Sequence, residues 1–288
     1  MARRLIFGVA VLLGAASARG AGAPIPHGTL ELIAEKQEVA AGHTLDVGLR
    51  FQLEKGWHVY WTNPGDSGEP PRVEWHLPAG LSAGAIEWPA PSRLESGSIV
   101  DYGYEDALLL IVPIRAKPSL AAQPAAQLGA EVRVLVCSHE MCIPSKVALS
   151  LALPIQSQPP RPDARTADLF AATRKALPRP APPNWKFSVA DGNESFVLTA
   201  ALPAKLAHSI TQAIFFPLAE SQIENASPQK LQTSAAGFQL TLRKSDRLLK
   251  PIERLRGVLV LTSSPLDNRG YFIDVPVSKP GAERPLVQ

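Results

Sequence analysis

Hydrophobic and polar residues alternate with a period of two along much of this chain, in runs of strand length. In Thr44-Leu-Asp-Val-Gly-Leu-Arg-Phe-Gln-Leu53, the residues Leu45, Val47, Leu49, Phe51 and Leu53 share one face, as in a half-buried antiparallel strand. The same alternation is visible in Thr29–Ala34, and further strands fit Val73–Leu77, Ala85–Trp88 and Ala107–Ile114. Turn signals at Asn63-Pro-Gly-Asp66, Leu77-Pro-Ala-Gly80 and Trp88-Pro-Ala-Pro91 separate them at the spacing of a β-sandwich. Two further runs, Val132–Cys137 and Val147–Leu153, flank a turn-sized gap. No stretch here has a convincing helical period, so residues 26–155 read as one all-β domain.

The pattern then breaks. Gln156-Ser-Gln-Pro-Pro-Arg-Pro162 and Leu177-Pro-Arg-Pro-Ala-Pro-Pro183 are proline-rich and make residues 156–183 a linker. Between the two flanks, Asp163–Leu177 can form a short helix capped by Asp163 or Thr166. Alternation resumes in residues 184–280, with strands at Trp185–Val189, Ser195–Ala200, Ala213–Pro217, Gly237–Arg243, Gly257–Thr262 and Gly270–Val277. The fold class expected is therefore all-β, two sandwiches joined by a proline-rich linker. The second domain has no cysteine and no acid or histidine cluster; its lone His208 reads as a surface or loop residue, and the domain as a packing, spacing or partner-contact module.

Composition agrees: 28 prolines and 20 glycines spread along the chain suit short strands joined by turns. The net charge of +3 is modest, and no basic cluster is interleaved with aromatics, so nucleic acid is not an expected partner. Residues 1–23 read as a secretory signal. Arg3 and Arg4 precede an apolar core from Leu5 to Ala16 that is too short to span a bilayer, and small-residue cleavage patterns follow at Ala16-Ser-Ala18 and Ala21-Gly-Ala23. No later segment approaches a membrane span. A periplasmic location, where disulfide chemistry operates, is expected.

The candidate chemistry lies in Cys137-Ser-His-Glu-Met-Cys142, which holds both cysteines of the chain. One ends a predicted strand and the other precedes the next, so the pair can come within the Cα separation of ~5.5–6 Å that suits a disulfide. Three readings stay open. A structural staple is one, although closing so short a loop stabilises by only ~2–2.5 kcal/mol. A redox-active pair is the second. The third is a soft-metal site, since Cys137, His139, Met141 and Cys142 offer ligands suited to Cu(I), although C-x4-C without a second ligand pair is a weak zinc signature. No cofactor motif is present, and no cofactor or resident metal is expected.

Several motifs, in order, resemble one family. Gly56-Trp-His-Val-Tyr-Trp-Thr-Asn-Pro-Gly-Asp-Ser-Gly-Glu-Pro-Pro71, Val73-Glu-Trp75, Ile86-Glu-Trp-Pro-Ala-Pro91, Asp101-Tyr-Gly-Tyr-Glu105 and Leu135-Val-Cys137 with Cys142-Ile-Pro144 resemble the periplasmic N-terminal domain of the DsbD/ScsB thiol:disulfide interchange proteins. The resemblance implies an immunoglobulin-like domain whose cysteines, on adjacent strands, pass electrons to periplasmic oxidoreductases. ScsB-type members carry a second β domain in the position of residues 184–280. The sequence reaches Gln288 without the family's membrane and thioredoxin domains, so a separate thioredoxin-like donor or a membrane electron carrier is expected. By analogy Cys142 attacks the partner and Cys137 resolves.

Asp101-Tyr102-Gly103-Tyr104 aligns with the aromatic loop that caps the cysteines in the family. Tyr102 is thus the candidate lid, with Asp101 and Tyr104 supporting; the alternative is a tyrosine packed in the core. His139 favours a thiolate when protonated and Glu140 opposes it, or both are solvated turn residues. Trp57, Tyr60 and Trp61 are expected to build the core beside the site. Asp66 reads as a turn residue with an optional part in proton transfer. The competing function is a non-enzymatic envelope protein, capturing Cu(I) or docking a partner, with a structural disulfide.

Overall fold

The structure is a computed structural model and describes residues 22–120, 124–263 and 268–278. Apart from Gly22 and Ala23, the expected signal sequence lies outside the described residues. The chain is all-β, with short helices as the exception.

The first sandwich contains β1 (Ala23–Ile25), β2 (Gly28–Ala34), β3 (Val39–Ala40), β4 (Thr44–Leu53), β5 (His58–Gly65), β6 (Arg72–His76), β7 (Leu81–Ala83), β8 (Ser92–Ser96), β9 (Ile99–Glu105), β10 (Ala107–Ala116), β11 (Ala125–Cys137) and β12 (Cys142–Gln156). One sheet runs β1-β2-β4-β10-β7 and the other β3-β12-β11-β5-β9-β8, with β6 also on β11. Leu45, Val47, Leu49 and Phe51 are buried between them, as the alternation in β4 requires.

Two local expectations change. Ala85–Trp88 is not a strand; hemmed in by Gly84 and Pro89, it makes a single bridge, Glu87 to Ile111. Residues 101–104 are not a loop: they form the middle of β9, paired with β5 and β8.

The proline-rich segment is not a free tether. Helix α1 (Ala167–Ala176) places Phe170 fully buried against Ile33, Leu109 and Ile111, on the outer face of the first sheet. That face has room because β4 carries Gly48 there; a Cβ on Gly48 would meet Leu109 at 2.4 Å and Phe170 at 3.2 Å. Arg174 reaches from the last turn to Glu35 and Asp46, and Arg161 pairs with Glu38. Neither predicted cap works as expected. Thr166 stands at the N-cap but donates its hydroxyl to Ala34 O, and the Asp163 carboxylate binds Arg165.

The second sandwich comprises β13 (Arg179–Pro180), β14 (Lys186–Asp191), β15 (Ser195–Ala201), the short α2 (Ala204–Ala207), β16 (Gln212–Pro217), β17 (Lys230–Ser234), β18 (Gly237–Arg243), β19 (Arg254–Thr262) and β20 (Asn268–Ser278). β20 pairs with β19 over most of its length and with β14 at its end, so it joins the two layers, β16-β19-β20 and β14-β15-β18-β17. His208 is exposed at the end of α2, with Nδ1 on Ala204 O.

The two sandwiches share apolar contacts. Phe216 and Val258 of the second are buried in the core cluster of the first, and the Phe216 ring meets Tyr102 and Trp61 edge-on at centroid distances of 5.0 and 6.2 Å. This is packing of core quality, not a passive tether.

Candidate redox site

β11 and β12 form one long hairpin that pairs residue by residue to its tip, ending with Cys137 opposite Cys142. The turn is only Ser138–Met141. Ser138 closes it: its amide donates to Met141 O at 2.8 Å, and its hydroxyl accepts from the amides of Glu140 and Met141. The cysteines are joined as a disulfide with their Cα atoms 4.1 Å apart. Their surroundings differ. Cys137 is 1% exposed, whereas Cys142 is exposed, together with His139, Glu140 and Met141.

Strand alternation explains what lies beside the disulfide. Cys137 pairs with His58 of β5, so the disulfide, His58 and Tyr60 share the outer face of this sheet, while Val59 and Trp61 point to the core. Tyr60 is fully buried and its hydroxyl donates to Cys142 Sγ at 3.7 Å. His58 lies edge-on to Tyr60, with centroids 5.1 Å apart, and its Nε2 has no hydrogen-bond partner among the described residues.

Burial sets the electrostatics. Desolvation, helped by the charge of His139, holds the His58 pKa down at about 4, so the ring is neutral at physiological pH. Desolvation and the Asp101 carboxylate push the Tyr60 hydroxyl up to about 12, keeping it a neutral donor. Asp101 is itself raised, first by burial, while its carboxylate accepts the amide and hydroxyl of Ser67.

The residues that cover Tyr60 come from the turn after β5. Gly68, at φ 81°, lies against the phenol ring so closely that a Cβ there would stand 2.1 Å from it. Asp66 anchors the turn by accepting the Val100 amide at 2.8 Å. A proton-transfer role does not follow from this placement; both Asp66 oxygens hold structure, the second accepting from Asn225.

The expected lid is elsewhere. Tyr102 lies on the inner face of β9, opposite to the disulfide, where it is fully buried and donates to Asn225 Oδ1 at 2.7 Å. Alternation forces this: Gly103 pairs with Tyr60, so Tyr102 and Tyr104 must point inward. Tyr104 donates to Pro89 O and is a core residue. Asp101, on the outer face, holds Ser67 of the turn that covers Tyr60. Trp61 is core as expected, Trp57 stacks on His27 with centroids 3.7 Å apart, and Tyr60 is the aromatic against the disulfide.

His58, Ser67, Gly68 and Asn225 carried no sequence signal strong enough to single them out. Alternation in His58-Val-Tyr-Trp61 was the available clue, since Tyr60 and Trp61 cannot both enter one core. Among the described residues, no group of three or more His, Cys, Asp or Glu side chains is gathered to hold a metal ion.

With this geometry in place, the relatives can be named. Residues 29–154 match the model of the family described as thiol:disulfide interchange protein DsbD, N-terminal. Over these residues the first sandwich is similar to DsbD N-terminal domains. No curated protein matches the chain. The crystal structure of the N-terminal periplasmic domain of ScsB from Proteus mirabilis is similar over 90% of this chain and 98% of that one, at 17% identity and a TM-score of 0.64. At that identity the likeness establishes the fold, including both sandwiches. The first sandwich thus resembles a thiol:disulfide interchange domain, and its cysteines are joined as a disulfide. No helix among the described residues is long and apolar enough to cross a membrane.

Proposed function

We propose that the chain is a periplasmic thiol:disulfide interchange module that relays two electrons at a time through Cys137 and Cys142. Electrons arrive from a thioredoxin-like protein or a membrane electron carrier and leave to periplasmic thioredoxin-like oxidoreductases. Residues 26–155 carry the chemistry and residues 184–280 the accessory sandwich. The observation that carries this reading is the asymmetry of the disulfide, one sulfur on an exposed residue at a hairpin tip and the other on a buried one.

That asymmetry supports the following order of steps. A donor thiolate attacks Cys142 Sγ, the Sγ–Sγ bond breaks, and Cys137 leaves with the electron pair and takes up a proton. The donor's second thiolate then attacks its own sulfur in the mixed disulfide, and Cys142 is released as a thiolate. In the second half, Cys142 attacks an acceptor disulfide, and Cys137 attacks Cys142 Sγ, restoring the protein's disulfide and leaving the acceptor reduced by two electrons. Tyr60 donates to the Cys142 sulfur whenever it carries charge. His139 and Met141, exposed in the turn, are the side chains a partner meets first.

Titration in glutathione buffers tests the reading. A single two-electron transition is expected, whereas a structural staple resists reduction to below about −300 mV. Cys137→Ser should trap a thiol-sensitive adduct with a thioredoxin-fold protein in envelope extracts, and Cys142→Ser much less. If neither variant traps one, the relay is wrong; stoichiometric Cu(I) binding by the reduced protein, lost in Cys137→Ser, would put metal capture in its place.

A further inference from the structure

Three observations from different parts of the molecule meet at one residue of the second sandwich. Asn225, buried, donates through Nδ2 to Asp66 Oδ1 at 2.8 Å, accepts the Tyr102 hydroxyl on Oδ1 at 2.7 Å, and gives its carbonyl oxygen to Arg93 at 3.0 Å. Tyr102 and Arg93 are opposite each other on β9 and β8, so Asn225 grips the inner face of the redox sheet and, through Asp66, the turn that crosses its edge. From Asp66 the turn continues to Ser67, held on Asp101, and to Gly68, pressed on the ring of Tyr60. Tyr60 ends the series with its hydroxyl on Cys142 Sγ. Each link is a hydrogen bond or a contact with no spare room.

Resting on the proposed function, we infer that Asn225 is a positioning residue for the redox pair: the second sandwich, through Asn225 and Asp66, holds the Asp66–Gly68 turn down on Tyr60 and so sets how open the Cys142 sulfur is to an attacking thiol. The physical argument is one of connection. Gly65, at φ 93°, lets the turn pass so close to β9 that a Cβ there would stand 2.5 Å from Val100 O, and Asp66 then locks the turn to Val100 from both its amide and its carboxylate. The carboxylate has two oxygens. One is used within the first sandwich, and among the described residues the other is satisfied by Asn225. An Asp66 without that second partner is an under-satisfied, part-buried carboxylate that gains by turning toward water. The turn moves with it, because Gly68 has no side chain of its own to fix it.

The role differs from simple domain docking, which is carried by Phe216 in the shared core and by Asn63, whose Nδ2 donates to Pro217 O at 2.7 Å. Three full-length variants separate the two. Asn225→Ala removes the side-chain amide and keeps the carbonyl that accepts from Arg93. Asn225→Asp keeps its shape and its acceptor for Tyr102 but cannot donate to Asp66. Phe216→Leu loosens docking, including the contact with the Tyr102 ring, and removes no hydrogen bond of the polar series. The probe is dithiothreitol, with the rate of reduction of the disulfide measured under pseudo-first-order conditions, alongside thermal midpoint and hydrogen exchange at the Ser67 and Gly68 amides.

Reduction of Asn225→Ala and Asn225→Asp is expected to be about fivefold faster than wild type, the equivalent of losing one hydrogen bond of ordinary strength at the cover. Exchange at Ser67 and Gly68 should quicken in both. Phe216→Leu should lower the midpoint and leave the rate and the exchange at the turn near wild type. Unchanged rates in both Asn225 variants overturn the inference, as does Phe216→Leu accelerating reduction to the same extent. Failure of the relay itself is a different result: wild type would show no transition in glutathione buffers, while the dithiothreitol comparison still reads the cover.

Discussion

Tyr60 is the side chain through which burial acts on sulfur chemistry. With its hydroxyl kept neutral and its oxygen 3.7 Å from Cys142 Sγ, it is poised to donate to the thiolate that forms on reduction. Tyr60→Phe should therefore move the alkylation profile of reduced Cys142 to higher pH and slow its attack on a model disulfide at neutral pH by about fivefold. An unmoved profile would assign Tyr60 to packing alone. His58 makes a separate prediction, about stability. Its folded pKa of about 4 lies below the ordinary 6.5, so between those values the unfolded chain binds a proton that the folded one refuses. Stability should then fall as pH drops from 6.5 toward 4. The carboxylates held below their ordinary values, Glu35, Glu38 and Asp163, add their losses only at the acid end of that range. His58→Phe should flatten the dependence between pH 6.5 and 5 in denaturant titrations; an unchanged slope would show that the imidazole titrates normally. The cysteines were legible from the sequence as a pair, and the resemblance supplied their order of action. What covers them was not, because the choice between Tyr60 and Tyr102 depends on which face of its strand each occupies, and that is fixed by pairing partners distant in sequence.

At the scale of elements, β4 is readable from its alternation, because one face is buried, and β10 from a continuous apolar run of strand length that is buried on both faces. In β9 the resemblance, which places an aromatic loop at Asp101–Tyr104, outweighs a strand signal that is present, the alternation of Val100, Tyr102 and Tyr104 with Asp101, Gly103 and Glu105. β17 has no such signal: Lys230-Leu-Gln-Thr-Ser234 is a mostly exposed edge strand with little apolar character. The helix was placed within a few residues, but its setting was not visible. What makes α1 part of the first sandwich is Phe170 over Gly48, together with the Arg174 clamp. Phe170→Ala should cost about 3–5 kcal/mol in equilibrium unfolding while leaving the dithiothreitol reduction rate unchanged, since the helix sits on the sheet away from the disulfide. A cost under about 1 kcal/mol would show that the helix is a tether after all. The Arg174 clamp should also be acid-labile. The hydrogen bond from Arg174 holds Glu35 below its ordinary 4.5, so its contribution is present above that value and lost as pH falls through the lower folded pKa.

For the whole molecule, composition and linker suggested two separable units, and on that basis a fragment ending near Ile155 should suffice for fold and chemistry. The packing argues otherwise. Such a fragment lacks Phe170, leaving Ile33, Leu109 and Ile111 uncovered, and lacks Phe216, leaving Trp61 and Tyr102 open on the inner side. Extending it through Leu177 restores the first cover and not the second. Full burial of a large apolar side chain contributes about 1.5–3 kcal/mol, so the predicted order of stability is full chain, then the fragment through Leu177, then the fragment ending at Ile155, each step of that size. The fragment through Leu177 should fold, exchange thiols and show a faster dithiothreitol rate, because Asn225 is gone from Asp66. The shorter fragment should self-associate through its two uncovered apolar faces, visible by light scattering. Equal unfolding midpoints and equal reduction rates across all three lengths would mean that the contacts of Phe170, Phe216 and Asn225 carry no energy that the first sandwich needs, and the second sandwich would then be the separable spacer that its sequence suggests.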